Sequence, residues 1–133
     1  MDAIDALLLS LESPDAGTRD RAALALMDLE ETRAVPGLLR AIARPENVNH
    51  RGTLVFALSA FDPRPHLETL VALALTGNAE VSTGALSILR EADRSVESLM
   101  RMRAEMDRHT VTTTTDADEM AARRCLDDLV DAN

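Results

Sequence analysis

Residue types able to do chemistry are few in this chain and thinly spaced. Three histidines, His50, His66 and His109, never approach the two-on-one-face spacing that a metal-binding helix needs. Each therefore reads as a surface or helix-end residue, and His109, beside Arg108 near a helix C-terminus, stands where the dipole favours cations. Carboxylates do cluster, at Glu30 with Glu31, at Asp116 with Asp118 and Glu119, and at Asp127 with Asp128. Hard oxygen ligands of this kind could hold Mg²⁺ or Ca²⁺. A solvated acidic face accounts for them better, and the group at 116–119 also offsets the dipole in the first turn of a last helix. The expectation is no metal ligand set and no cofactor.

Other chemistries lack a seat. The five glycines, Gly17, Gly37, Gly52, Gly77 and Gly84, are scattered without the spacing of a phosphate-cradling loop. A Ser, His and Asp triad needs a nucleophile presented by a strained turn, and no such turn is recognisable, so no catalytic residue is assigned and the chain reads as a non-enzyme. The single cysteine, Cys125, excludes an internal disulfide and a multi-Cys zinc cluster. It reads as a small core residue, a reactive thiol being the lesser alternative.

The elements that would position any site are helical. With 133 residues the chain is expected to form a single domain that buries roughly two-thirds of its unfolded surface. Its apolar content is mostly Leu and Ala, with Phe56 and Phe61 the only aromatics, a composition poor in strand formers. The formal charge of -9 argues against a nucleic-acid binder and suits a basic partner protein. All 14 cationic residues other than histidine are Arg. That could serve bidentate donation, or could reflect an Arg- and Ala-biased bacterial genome, which is the simpler reading. Asp2 and Asp5 stand where a secretory signal would be positive, and the first apolar run is too short to span a bilayer, so a cytoplasmic protein is expected, with no membrane partner.

Apolar residues at Ile4, Leu7, Leu8 and Leu11 predict a one-faced helix over 1–12, ended by Ser13 and Pro14. Asp15 then caps a helix carrying Arg19, Ala22, Leu26 and Leu29, followed by a second helix carrying Val35, Leu38, Leu39 and Ile42. Adding 32 to each number gives Asn47, Arg51, Leu54, Leu58 and Phe61, then Leu67, Leu70, Val71 and Ala74. A third, eroded copy reads Asn78, Ser82, Ala85, Leu89 and Ala92, then Val96, Leu99, Met100 and Arg103. After a Thr-rich loop at 110–115, Thr115, Glu119, Ala122, Leu126 and Leu129 match the first-helix template again. The predicted segments are helix hairpins at 15–43, 47–76 and 78–108 and a last helix at 116–132, capped in turn by Asp15, Asn47, Asn78 and Thr115. An irregular helical bundle is the alternative.

A period near 32 with paired helices, a cap, then Arg, Ala and Leu at fixed offsets, resembles the short bacterial type of HEAT repeat. The resemblance implies an all-α, right-handed α-solenoid of antiparallel hairpins, about three full repeats with one capping helix at each end. It also implies a ladder of Asp and Arg between successive first helices; Asp15, Arg19 and Arg51 keep that chemistry, whereas Ser82 and Glu119 depart from it. Pro36 fits near the start of a second helix. In this family the second helices line a concave face, which here would present Gly37, Arg40, Ala41 and Arg44, then Thr69, Ala72, Leu73 and Thr76, then Ser98, Arg101, Met102 and Glu105.

Those residues form the candidate partner-binding face, a shallow groove with arginines at both ends. The function expected is a non-catalytic protein-binding module or scaffold, in its sharper form an inhibitor or immunity-type protein for a basic partner, acting as a monomer or weak homodimer. Two other classes are implied by the resemblance. A DNA-glycosylase-like role would need more repeats, more aromatics and the opposite charge, and a lyase or chaperone-like helper resembling the HEAT-like phycobilin lyases would need a pigment pocket.

Overall fold

The structure, a computed structural model, describes residues 2–109 and 117–131. Among the described residues all regular structure is helical, with eight α-helices, three short 3-10 turns and no strand. The chain divides into two compact units, Met1–Phe61 and Asp62–Asn133.

In the first unit, α1 (Ala3–Ser10), α2 (Ala16–Asp28), α3 (Ala34–Ala43) and α4 (Gly52–Ala57) are joined by short links. The Asp15 carboxylate caps α2 by accepting from the Thr18 backbone N–H at 2.9 Å and from its hydroxyl at 2.7 Å. α2 is the centre of this unit and packs against α1, α3 and α4. It buries Arg19, Ala22, Ala23 and Leu26. Arg19 is only 1% exposed and donates through Nη1 to the Ser13 carbonyl at 2.9 Å, tying α2 to the strand of chain that precedes it. Leu29, expected on the buried stripe, is exposed because α2 ends at Asp28 and Leu29 serves as its C-cap.

The link after α2 is closed by backbone bonds. The N–H of Glu31 reaches the Leu26 carbonyl and that of Glu30 reaches the Met27 carbonyl, the paired pattern in which the intervening residue turns left-handed. That residue is Glu30, at φ 51°, a position that favours glycine, and its negative charge also sits at the unfavourable end of the helix dipole.

Two expectations fail in this unit. Asn47 does not cap α4; it closes a 3-10 turn, Pro45–Asn47, and its side-chain amide donates back to the Ala41 carbonyl at 2.9 Å, so it satisfies the end of α3. Arg51 takes the cap position of α4 without a side-chain bond. The buried face of α3 also runs through Ala34, Gly37, Leu38, Ala41 and Ile42, about one residue, or roughly 100°, round from the predicted stripe. Small residues explain it: at Gly37 a Cβ would stand 3.0 Å from Leu11 Cδ1, so the end of the α1 segment seats directly on the α3 backbone.

In the second unit a 3-10 turn, Arg64–His66, leads into α5 (Leu67–Thr76), followed by α6 (Ala79–Glu91), α7 (Val96–Arg108) and α8 (Ala117–Asp131). α5 packs against α6, α7 and α8. Its sequence, LETLVALALT, is apolar over most of its circumference: Leu67, Leu70, Val71, Leu73, Ala74 and Leu75 are all buried, and the strip Thr69, Ala72 and Thr76 is left partly or fully in water. Stacking of neighbours alone would set α8 on α6 and α7, yet it also lies on α5, inserting Ala122, Leu126 and Leu129. Asn78 caps α6 through the Val81 N–H at 3.0 Å, and Ser82, where the template has Arg, donates its hydroxyl to the Ala74 carbonyl of α5. The buried face of α7 carries Ser98, Leu99, Met102, Glu105 and Met106, so the predicted inward residues Val96 and Met100 are exposed. Cys125 is half-buried rather than core, its sulfur accepting from Arg90 Nη2 at 3.1 Å. The 110–115 loop, the Thr115 cap and Asp116 lie outside the described residues, as do the side chains of Asp118 and Glu119.

Gly77 ends α5 at an ordinary φ of -77°, but there is no room for a side chain: an added Cβ would lie 2.7 Å from the Leu73 carbonyl and closer still to Val81 Cγ1. Urea unfolding should therefore show Gly77→Ala destabilised by about 1–3 kcal/mol. Leu26→Ala, at a fully buried site, should lose about 2–5 kcal/mol. Glu30→Gly should have the opposite sign, gaining up to about 1 kcal/mol; a loss would mean that the left-handed turn is not strained.

Candidate functional site

The twelve residues expected to share one face do not behave alike. Arg40, Thr69 and Thr76 are exposed, and Arg44, Ala72 and Arg101 are half-buried. Gly37, Ala41, Leu73, Ser98, Met102 and Glu105 are buried and cannot present themselves to a partner. The cause is the rotation of α3 and α7 described above and, for Leu73, its place beside the narrow exposed strip of α5 rather than on it. Glu105 is held inside by His109, whose Nε2 lies 2.9 Å from its Oε2, and by Arg108 at 3.5 Å.

The arginines of that set are already engaged within the chain. In the first unit Arg40 and Arg44 both reach the Glu12 carboxylate, and Arg44 also donates to the Glu12 carbonyl at 3.2 Å. In the second, Arg101 grips Glu68 through Nε at 2.5 Å and Nη2 at 2.7 Å. That fork holds the Glu68 carboxyl below its ordinary range and raises the guanidinium. Arg103 bridges Asp127 at 3.1 Å and Asp131 at 2.7 Å and is raised by both, Asp131 more. Arg64 grips Asp62, whose carboxyl falls to about 2 through those hydrogen bonds. Two N–H groups of one planar fork are what such contacts use, and Lys could not reproduce them. Most of these pairs face water, so their worth is orientation more than stability.

Leu9, Leu29 and Phe56 are exposed singly, whereas α7 exposes apolar side chains in successive turns of one row. Val96 and Met100 are each 67% exposed, with Ala104 one turn further along the same row. Beside them runs the row Leu99, Arg103 and Asp107, and Val130 of α8 closes one side, making an open groove of about 410 Å³. Rows four residues apart are the ridges by which helices interlock, and here two adjacent ridges have no helix between them. The sequence contained this signal, since α7 carries two apolar rows, 96–100–104 and 99–102–106, and only the fold decides which one faces α5.

Histidines and metals add no second centre. Among the described residues no three His, Cys, Asp or Glu side chains gather as metal ligands do. His50 is exposed, and His109 serves Glu105 while its carbonyl accepts from Arg123 of α8. His66 was expected at a surface or helix end; it does precede α5, but it is 4% exposed and neither ring nitrogen has a hydrogen-bond partner. Among the described residues the fold and groove together define a helical chain of two compact units with an apolar row of α7 open to solvent. No protein-family model, curated protein or solved structure matches it.

Burial pushes the His66 pKa below 6.5, opposed only in part by the charge of Asp62. The unfolded chain then binds the extra proton more readily, so stability is full above about pH 6.5 and declines as pH falls below it. His66→Leu should flatten the urea midpoint between about pH 7 and 5 relative to the parent chain; an equal slope in both proteins would refute the assignment.

Proposed function

We propose that this chain is a non-catalytic protein-binding module whose contact site is the groove on α7 and α8. The observation that carries the reading is the exposure of Val96 and Met100 in adjacent turns of one ridge, beside a groove that the chain's own helices leave unfilled. Isolated surface apolar residues need no explanation, but a row of them lining a concavity is the usual mark of a partner site. The carboxylates beside the groove, with the chain's net charge of -9, argue for a partner protein and against nucleic acid.

The HEAT-like repeat belongs to the same proposal. It is supported by the shared template of the first helices and by two ion pairs that join residues one period apart, Glu12 with Arg44 and Glu68 with Arg101. Such pairs tie successive copies of the second helix in a solenoid. An inhibitory role toward a basic protein in the cytoplasm is the form of binding module that its acidity suits best.

The test is photocrosslinking in the native host with p-benzoylphenylalanine in place of Met100, and in place of the exposed Ser87 on α6 as control. A defined protein adduct from position 100 and none from position 87 is expected. Absence of any protein adduct at position 100, with the helical circular dichroism intact, would remove the groove as a contact site.

A further inference from the structure

Resting on that reading, we propose that the groove's occupant is a cationic amphipathic helix of a partner protein, its apolar ridge seated between the 96–100–104 and 99–103–107 rows of α7. Shape comes first. The two rows run parallel along α7, and a row of side chains spaced four apart on another helix is the complement of the furrow between them. From Val96 to Asp107 the lined length is about 16 Å, three turns of helix, so an occupant needs apolar side chains at three successive turns. Met100 at the centre can adapt its unbranched side chain to whichever apolar group enters. An extended peptide has no such fit, since among the described residues there is no strand edge for it to join.

Charge fixes the sign of the occupant. Arg103 is the one cation lining the groove, and it is spanned by both Asp127 and Asp131, while Asp107 lines the same wall. Arg103 with its two carboxylates leaves that rim anionic, so Lys or Arg flanking the apolar ridge of an incoming helix is favoured there and Glu is not. The same balance disfavours a second copy of this chain. A two-fold pairing would set the groove of one copy on the groove of the other and bring two anionic rims together.

The experiment uses the full chain and three fluorescein-labelled peptides of about 14 residues in fluorescence anisotropy at physiological salt. The first carries Leu at one helical face and Lys and Arg elsewhere, the second replaces the cations by Glu, and the third keeps the cationic composition but disperses the Leu residues. The first should bind with micromolar affinity and the other two about tenfold more weakly or worse. Val96→Ser combined with Met100→Ser, both exposed positions, should weaken the first peptide by about tenfold with unchanged circular dichroism, and Asp131→Asn should reduce its salt dependence.

Equal binding of the first and third peptides, or binding indifferent to the paired Ser substitutions, would mean that general acidity and not the groove holds the peptide, and overturns the proposal. Preference for the Glu peptide that the Ser pair abolishes overturns the cationic occupant while leaving the groove as a protein site. Binding by none of the three overturns the cationic helix, and crosslinking at position 100 then decides the module reading separately. A dimer in sedimentation velocity that the Ser pair dissociates would put a second copy in the groove and overturn the partner helix.

Discussion

Burial of most of α5, with the row Thr69, Ala72 and Thr76 left to water, is the constraint from which the second unit follows. A ten-residue helix with six buried apolar side chains and a narrow strip, Thr69, Ala72 and Thr76, facing water must be covered over most of its circumference, because each exposed Leu or Val would forfeit about 1.5–3 kcal/mol of burial. Three helices are needed to enclose it, and α6, α7 and α8 supply them. The entry and exit of α5 are then crowded: His66 is pressed inside at one end, and at the other the chain turns at Gly77 with no space for a side chain. α2 does the same for the first unit with a milder sequence, burying alanines and one arginine against its three neighbours.

Because α7 must give one apolar row to α5, its other row is left over. The helix therefore carries two apolar stripes with different owners, one belonging to the core and one to the groove. Arginine forks manage the polar groups around both. Glu12, Glu68, Asp127 and Asp131 each receive a guanidinium from another element at a fixed orientation, which restrains helix rotation without adding much free energy in water. The absence of lysine thus has a structural use, whatever its origin in the genome.

Much of this fold was legible in the sequence, and the parts that were not share a cause. Apolar spacing and caps located the helices well, as Asp15 and Asn78 show, because these signals are local. Which side of a helix turns inward is a tertiary matter, and where small residues line the contact the hydropathy pattern points to the wrong side. Gly37, Ala41 and Ser98 look like surface positions yet are buried, and at Gly37 the missing side chain is what lets Leu11 approach. Asn47 was misread for a related reason: an Asn beside Pro45 can satisfy the helix behind it as readily as the one ahead. Of the candidate face, the arginines were found but not their partners, although Glu12 and Glu68 lie one period from Arg44 and Arg101. The α7 groove was missed because Val96 and Met100 fit the core template as well as the true core residues do.

The order of elements around α5 has a further consequence during synthesis. A ribosome delivers α5, α6 and α7 before α8, so the α5 surface that α8 will cover is exposed until α8 clears the exit tunnel. The first unit has its own centre in α2 and can compact while the rest is still being made. Between those two moments the apolar side chains of α5 have only α6 and α7 to cover them.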